Sequence, residues 1–561
     1  MLEAISDFIY RVISGTILGC FLLVLSLLAL WHNFVTAHFR HHHDFRDTRS
    51  SKTTIIPKQE PHSPRRQKKR HQSLSVSSCS PLNVEEDEDN NIEFDHTITS
   101  TDTRPDSNDS SLSDIGTANT SIDSTYNLAN HQYVYDKNFT KKNRSELEDN
   151  PFQDVLAAED MKLVPDLKYY YKQYNIEIEE FEVETEDGFI IDLWHLKHDT
   201  DSLEKDNERN PDLHPILMLH GLLQSSGSFA SSGRKSLAYF LHQSGFDIWL
   251  GNNRCGLKPK WNMSALGFDK RKKWDWDMDQ MVQYDLKALI ETVLSKCKHE
   301  KLTLMSHSQG TTQGFMGLVN GELLYGTDFK LSEKLENFVA LAPAVYPGPL
   351  LDEKQFVKFM AKGIDNPWIF GNKAFLPLML LMKKITNGVI IIPFMSYVMF
   401  NYLFDWNDSL WDKPLRDRHF LFSPVYISVK LMQWWLSPLD NKMSFKKGAG
   451  TLFPDSKTWF PVEDGNPVAK PEGLHLNSTR QSKKDYPHFM MFIPRQDRLV
   501  DGERLINHFI NHESNSLYKI WYIDEYSHLD VLWAHDVIDR IGQPIVENLR
   551  LPKRSQVGRA N

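Results

Sequence analysis

The fold of this 561-residue chain is decided by the stretch Leu302-Thr303-Leu304-Met305-Ser306-His307-Ser308-Gln309-Gly310-Thr311-Thr312. Its apolar beginning is typical of a strand, its small residues are typical of a tight turn, and residues 313–319 are typical of a helix. A strand, a sharp turn and a helix in this order hold the central serine in a strained conformation, with its hydroxyl projecting clear of both elements. We therefore predict that Ser308 is a nucleophile.

The residues two positions either side of Ser308 must be small, because the strand and the helix pack closely there. Gly310 meets this requirement, and Ser306 stands where the G-x-S-x-G pattern has its first glycine. A Ser-x-Ser-x-Gly sequence also occurs by chance in loops. The prediction for Ser308 therefore depends on the rest of the chain.

Composition excludes several classes of protein. The net charge of −10 gives no reason to expect a nucleic-acid partner. The four cysteines, at positions 20, 79, 255 and 297, have no spacing that suggests a metal site or a disulfide framework. We expect a reducing compartment and neither a metal nor another cofactor, and nothing in the sequence identifies a protein partner.

The N-terminal region predicts a membrane helix. Residues 1–11 form a short tail, and residues 12–31 contain no charged side chain. About 20 apolar residues are enough to span a bilayer as a helix. A cleaved signal peptide is the alternative, but the run ends in Leu30-Trp31-His32-Asn33, without a small-x-small cleavage site. We therefore predict a retained, single-pass anchor.

The flanking charges predict the orientation of this anchor. Basic residues at positions 40, 46, 49, 52 and 58 follow the span, which places the body of the protein in the cytosol. Glycosylation sequons at Asn138, Asn143, Asn262 and Asn477 leave the opposite orientation open. The sequence does not distinguish a lipid droplet from the plasma membrane as the location.

Residues 41–150 are polar, with a basic cluster at 65–70 and an acidic cluster at 85–89. Such a segment buries too little apolar surface to fold, and we predict a disordered linker. The basic cluster is either solvated or in contact with anionic lipid headgroups.

The C-terminal part of the chain predicts an α/β fold in two pieces, residues 152–345 and 485–550. After a hairpin turn at residues 186–188, apolar runs that are typical of buried strands alternate with helical segments. This alternation indicates a mostly parallel sheet that is covered on both faces.

Residues 346–484 interrupt this alternation and are rich in Phe, Trp, Met and Leu. Residues 375–404 are apolar enough for a second membrane span, but Lys383, Lys384, Pro377 and Pro393 lie within them. We therefore predict an inserted cap of short helices, which acts as a lid over a lipid-binding pocket. Ordinary helical core is the alternative.

A serine hydroxyl needs a base to remove its proton, and the base needs an acid to orient it. In α/β-hydrolases the chain order is Ser, then Asp or Glu, then His, each after a strand. Asp497 follows the predicted strand 489–493, and His528 follows the predicted strand 518–523. We predict Ser308 as the nucleophile, Asp497 as the charge stabiliser and His528 as the general base and acid.

Two further predictions complete the site. Asp501 and Asp524 are the alternatives to Asp497 as the acid. The backbone N–H groups of Leu222 and Gln309 are predicted to form the oxyanion hole, because one lies in a turn after a strand and the other at the start of a helix.

Five separated motifs resemble the acid lipase family, which includes lysosomal acid lipase and gastric lipase. They are Thr185-Glu186-Asp187-Gly188-Phe189, His220-Gly221-Leu222-Leu223-Gln224-Ser225, Gly251-Asn252-Asn253-Arg254, Ser306-His307-Ser308-Gln309-Gly310-Thr311-Thr312 and Tyr526-Ser527-His528-Leu529-Asp530-Val531-Leu532-Trp533-Ala534. The resemblance covers residues 162–550. It implies an α/β-hydrolase fold with an inserted cap, the triad Ser308, Asp497 and His528, and hydrolysis of lipid esters. Cys255 and Ser306 replace small residues of the common motifs.

The N-terminal span and the polar linker are more similar to the fungal membrane-anchored steryl ester hydrolases. That resemblance implies release of a sterol and a fatty acid through a serine acyl-enzyme, without a cofactor. A triacylglycerol lipase and an acyltransferase of the same fold are the alternatives. A non-catalytic lipid-binding tether is disfavoured because it would not need all three triad residues.

Overall fold

The computed structural model describes residues 2–40, 133–136, 159–197, 213–267, 272–385, 391–406, 408–462 and 486–551. The predicted linker, apart from residues 133–136, lies outside these ranges. The strands are β1 (Tyr133–Asp136), β2 (Ile178–Glu184), β3 (Phe189–Leu196), β4 (Pro215–Leu219), β5 (Asp247–Gly251), β6 (Lys260–Trp261), β7 (Leu302–His307), β8 (Leu335–Leu341), β9 (His488–Pro494) and β10 (Tyr518–Ile523).

Twenty α-helices occur in the described ranges. They are α1 (Leu2–Arg40), α2 (Leu167–Tyr171), α3 (Leu237–Gln243), α4 (Met263–Leu266), α5 (Met278–Gln280), α6 (Lys287–Cys297), α7 (Gln309–Val319), α8 (Gly321–Tyr325), α9 (Leu331–Lys334), α10 (Leu350–Glu353), α11 (Gln355–Gly363), α12 (Pro367–Phe370), α13 (Pro377–Ile385), α14 (Ile391–Phe404), α15 (Arg416–His419), α16 (Val429–Leu436), α17 (Phe445–Leu452), α18 (Gly502–His512), α19 (Asp530–Trp533) and α20 (Gln543–Asn548).

All ten strands belong to one sheet, in the order β1-β10-β9-β8-β7-β4-β5-β3-β2, with β6 paired to β3. The neighbours from β1 to β5 are parallel, whereas β3 is antiparallel to β2, β5 and β6. Every residue of β4, β7 and β9 is buried. These strands are mostly apolar because helices cover such a sheet on both faces. The structure is the predicted α/β-hydrolase fold, and β7 lies in its centre with Ser308 at its carboxyl end.

Two elements depart from the expectations. β1 lies inside the stretch predicted as a linker and pairs with β10. Its four residues are too few to produce a visible alternation in a polar segment. One of the helical segments between strands consists of α5, a π-helix at Met281–Leu286 and α6, whereas the alternation of strands and helices predicts a regular α-helix.

The insertion between β8 and β9 contains helices α10 to α17. Its most apolar part forms α13 and α14, which have 9 and 14 residues. Each is shorter than the ~20 residues that a membrane-spanning helix needs. Within the described ranges, one helix is long and apolar enough to cross a membrane, and it is the Val12–Val35 part of α1.

Candidate active site

The turn between β7 and α7 holds Ser308 in an unusual backbone conformation. Its φ of 49° is positive, which costs a non-glycine residue about 1–3 kcal/mol unless the surroundings fix it. The Ser308 N–H donates to Leu341 O at 3.0 Å, and the Thr311 hydroxyl donates to Ser308 O at 2.5 Å. Thr311 Oγ1 in turn accepts from the Ala344 N–H at 2.9 Å. Neighbouring elements therefore hold the strained serine from both sides.

The residues that flank the serine explain the sequence pattern. A Cβ added at Gly310 would lie 2.6 Å from Leu219 O, so only glycine fits where α7 meets β4. Ser306 is fully buried in β7. Its hydroxyl has no hydrogen-bond partner among the described residues. The missing glycine is thus tolerated sterically, at the expense of one unsatisfied polar group.

Ser308, His528 and Asp497 lie in one hydrogen-bonded row. His528 Nε2 is 2.8 Å from Ser308 Oγ, and His528 Nδ1 is 2.6 Å from Asp497 Oδ2. The other carboxylate oxygen, Asp497 Oδ1, accepts the N–H groups of Leu499 and Val500 at 2.9 and 3.2 Å. All three side chains of the row are buried. This arrangement allows His528 to accept the serine proton while Asp497 faces the opposite ring nitrogen.

The two alternative acids are engaged elsewhere. Asp501 caps helix α18, and its carboxylate accepts from the Arg504 N–H at 2.9 Å. Asp524 forms an ion pair with Arg495. The structure thus brings Asp497, rather than Asp501 or Asp524, to His528.

The turn that carries Leu222 lies directly against Ser308. A Cβ added at Gly221 would be 3.1 Å from Ser308 Cβ. His220 supports this turn, since its Nδ1–H donates to Gly221 O at 2.8 Å and its Nε2 accepts from the Asn253 N–H at 3.1 Å. These two bonds require a neutral ring, and burial lowers the pKa of His220 to about 4. The Gln309 N–H begins helix α7, where a backbone N–H has no acceptor within the helix.

Two residues beside the row were not predicted from the sequence. His307 Nδ1 is 3.0 Å from Gln224 Oε1, and His307 Nε2 is 3.2 Å from His528 O. Gln224 Oε1 also accepts the Gly221 N–H at 3.1 Å. His307 therefore links the Leu222 turn to the His528 loop. Both residues lie in quoted motifs, but no spacing rule assigned them a partner.

Asp530 was not predicted either, and it fixes the His528 loop. Its Oδ2 accepts the backbone N–H and the hydroxyl of Ser527, at 2.6 and 2.7 Å. Its Oδ1 accepts Trp411 Nε1–H at 2.7 Å. Burial raises the pKa of this carboxyl to about 7. Because Trp411 belongs to the insertion, the loop that carries His528 is joined to the cap.

The motifs at residues 185–189 and 251–254 are joined by a buried arginine, Arg254. Arg254 Nη2 pairs with Asp285 at 2.8 Å, and Arg254 Nη1 pairs with Asp187 at 2.8 Å. Asp285 lies in the π-helical turn, and Asp187 lies in the hairpin between β2 and β3. These residues hold the β5 loop in place behind the Leu222 turn.

Ser308 and His528 line a cavity with about 1220 Å³ of empty space, including its mouth. Most of its other lining side chains are Leu, Met, Phe and Trp, and they come largely from the insertion. Among the described residues, no group of three or more His, Cys, Asp or Glu side chains is placed to hold a metal ion. Ser308 and His528 of the hydrogen-bonded row therefore lie in the wall of a mostly apolar cavity.

Comparison with known proteins agrees with this chemistry. Residues 167–233 match the family described as a partial alpha/beta-hydrolase lipase region. The chain is 61% identical over 557 residues to Sterol esterase 2 of Saccharomyces cerevisiae, which covers 98% of the chain and 99% of that relative.

More distant relatives belong to the same group. The chain is 26% identical to human gastric triacylglycerol lipase, over 67% of the chain and 88% of the relative. It is also 26% identical to the lysosomal acid lipase/cholesteryl ester hydrolase of Macaca fascicularis, over 66% and 87%. The chain therefore belongs to the acid lipase family of α/β-hydrolases and is a carboxylic ester hydrolase.

Proposed function

We propose that the enzyme hydrolyses steryl esters at a membrane and releases the sterol and a fatty acid. The cavity carries this proposal, because its walls are apolar and its nucleophile, Ser308, lies among the few polar lining groups. A steryl ester has the matching character, since its one polar group is the bond to be cleaved. The relative named Sterol esterase 2 supports the same substrate class.

In the proposed reaction His528 Nε2 takes the Ser308 proton while Oγ attacks the ester carbonyl carbon. The N–H groups of Leu222 and Gln309 donate to the oxyanion, and each such donor contributes about 2.7–4 kcal/mol to the transition state. The C–O bond to the sterol then breaks, and His528 returns the proton to the sterol oxygen. Water attacks the acyl-enzyme by the same route and releases the fatty acid. Asp497 stabilises the imidazolium in both steps.

We also propose that α1 anchors the enzyme and leaves the hydrolase domain in the cytosol, on a lipid droplet or at the plasma membrane. The basic residues after the span support this orientation. The sequon residue Asn262 supports it too, because its side chain caps α4 through the Ser264 N–H and donates to Glu184 at 2.6 Å. A glycan would be attached to Asn262 Nδ2, the atom that donates to Glu184.

A triacylglycerol lipase is the second candidate, since relatives bear that name and the bond chemistry is the same. The test compares kcat/KM for cholesteryl oleate and trioleoylglycerol, each presented in the same phosphatidylcholine vesicles to the full-length enzyme. We expect the steryl ester to be preferred, and Ser308→Ala to be inactive on both. An equal or higher kcat/KM for trioleoylglycerol would reject the steryl ester assignment.

A further inference from the structure

One face of the membrane helix α1 is buried against the cap. Its buried residues recur every three or four positions, which places them on a single helical face. They are Ser14, Leu18, Leu22, Leu25 and Ala29. Residues between them remain exposed, as Leu27 shows with 59% of its surface accessible. The helix therefore has a cap-facing side and an outer side.

Specific contacts join this face to three cap helices. Phe21 contacts Phe356 of α11 in a tilted arrangement, with ring centroids 4.5 Å apart. It also contacts Phe370 of α12 edge-on, with centroids 6.0 Å apart. The Ser26 hydroxyl lies 3.5 Å from the sulfur of Met399, in α14. The helix is thus packed as part of the folded domain.

Leu25, at the centre of that face, reaches the cavity. It is 1% exposed and lines the same cavity as Ser308. Met399 and Phe400 of α14 line the cavity beside it. One turn of α1 therefore separates the cavity from whatever surrounds the outer side of the helix.

The depth of this contact follows from the length of the span. Leu25 lies 13 residues after Val12 and 10 residues before Val35, the ends of the apolar segment. At a rise of about 1.5 Å per residue, it is about 15–20 Å from either end of the span. In a bilayer this position is in the hydrocarbon layer.

We propose that α1 forms one wall of the substrate cavity and that Leu25 contacts the apolar part of the ester at the depth of the hydrocarbon layer. The inference rests on the proposed membrane-bound lipid esterase. It makes the span a part of the binding site as well as an anchor, and it makes Leu25 a residue that determines specificity. A substrate dissolved in the bilayer then reaches Ser308 without crossing water.

The test compares Leu25→Trp with Leu27→Trp, a matched change on the outer side of the same helix. Full-length enzyme in phosphatidylcholine vesicles is assayed with cholesteryl oleate and with p-nitrophenyl butyrate, an ester with a much shorter acyl chain and no sterol. We expect Leu25→Trp to lower kcat/KM for the oleate about tenfold, because an overfilled apolar site excludes the ligand. It should lower kcat/KM for the butyrate less than for the oleate, and Leu27→Trp should change neither.

A small fluorophosphonate that labels Ser308 checks that the variant site is intact. Should Leu25→Trp not label, Leu25→Ala and Leu27→Ala replace the pair, and Leu25→Ala alone should alter the oleate-to-butyrate ratio. Equal ratios for the position 25 and position 27 variants would overturn the inference. A wild-type enzyme that prefers triacylglycerol would reject the proposed substrate instead, and the same pair would then be compared on long-chain and short-chain triacylglycerols.

Discussion

The residue two positions before the proposed nucleophile, Ser308, shows how far the motif can vary. Ser306 occupies the place of a glycine, and its buried hydroxyl finds no acceptor or donor among the described residues. A buried polar group without a partner costs about 1–3 kcal/mol. We therefore expect Ser306→Ala to raise the free energy of unfolding by about 1 kcal/mol, measured by urea denaturation. A less stable variant would mean that the hydroxyl has a partner.

The choice of catalytic acid is also decided at single residues. Asp497→Asn should lower kcat by about 10³–10⁴-fold, because an amide cannot both orient His528 and stabilise its charged form. Asp501→Asn is the matched control, since asparagine caps a helix as well as aspartate does. Initial rates with cholesteryl oleate measure both. The assignment fails if Asp501→Asn is the more damaging change.

Among the elements, the cap is joined to the catalytic loops by named contacts. Arg498, next to Asp497, pairs with Asp405 at the end of α14 and with Glu353 of α10. Trp435 of α16 donates to the Gln309 side chain at 3.1 Å. The cap therefore contacts both the Asp497 loop and the start of α7.

Substitutions of two tryptophans in the cap test whether its contacts stabilise the loop that carries His528. Trp411→Phe removes the donor to Asp530, whereas Trp406→Phe removes an N–H that has no acceptor in the described ranges. We expect Trp411→Phe to lower the free energy of unfolding by about 1–2 kcal/mol. It should also lower kcat, because the loop that carries His528 loses a hydrogen bond to the cap. Trp406→Phe removes the same bulk without a hydrogen bond and should lower both quantities less. Equal losses in stability and kcat would show that the hydrogen bond does not matter.

For the whole molecule, buried histidines contribute to the pH dependence of folding stability. Burial lowers the pKa of five of them, to about 4 for His214, His220 and His488 and well below the usual value for His307 and His419. An unfolded chain protonates these rings near pH 6.5, whereas the folded protein does not. Their contribution to stability is therefore complete above about pH 6.5 and is lost as the pH falls toward about 4.

Asp530 acts in the opposite direction. Burial raises its pKa to about 7, so its contribution is lost as the pH rises from about 4 to about 7. Burial also raises the pKa of Asp277, Asp279, Asp285, Asp501 and Asp539, which act in the same direction as Asp530. Because the five histidines gain protons on unfolding below about pH 6.5, we expect a lower melting temperature at about pH 5 than at about pH 7.5, by differential scanning fluorimetry. An equal or higher melting temperature at about pH 5 would show that the buried histidines do not dominate the response.

Much of the fold could be predicted because local sequence patterns indicate its strands and helices. The apolar runs of β4, β7 and β9 mark buried strands, and the order of Ser308, Asp497 and His528 after strands follows from the fold class. β1 could not be predicted, because its pairing with β10 is a long-range contact. The packing of α1 against α14 could not be predicted either, because it depends on tertiary structure. The apolar sequence of α1 predicts only a membrane anchor.

In the proposed mechanism, Ser308 forms the acyl-enzyme that cleaves a lipid ester. The most direct measurement is hydrolysis of cholesteryl oleate by Ser308→Ala and by Ser306→Ala, two changes of the same size two residues apart, with equal amounts of membrane-bound full-length enzyme. We expect Ser308→Ala to lose at least ~10³-fold in kcat and Ser306→Ala to retain the wild-type rate. Substantial activity in Ser308→Ala would contradict the claim.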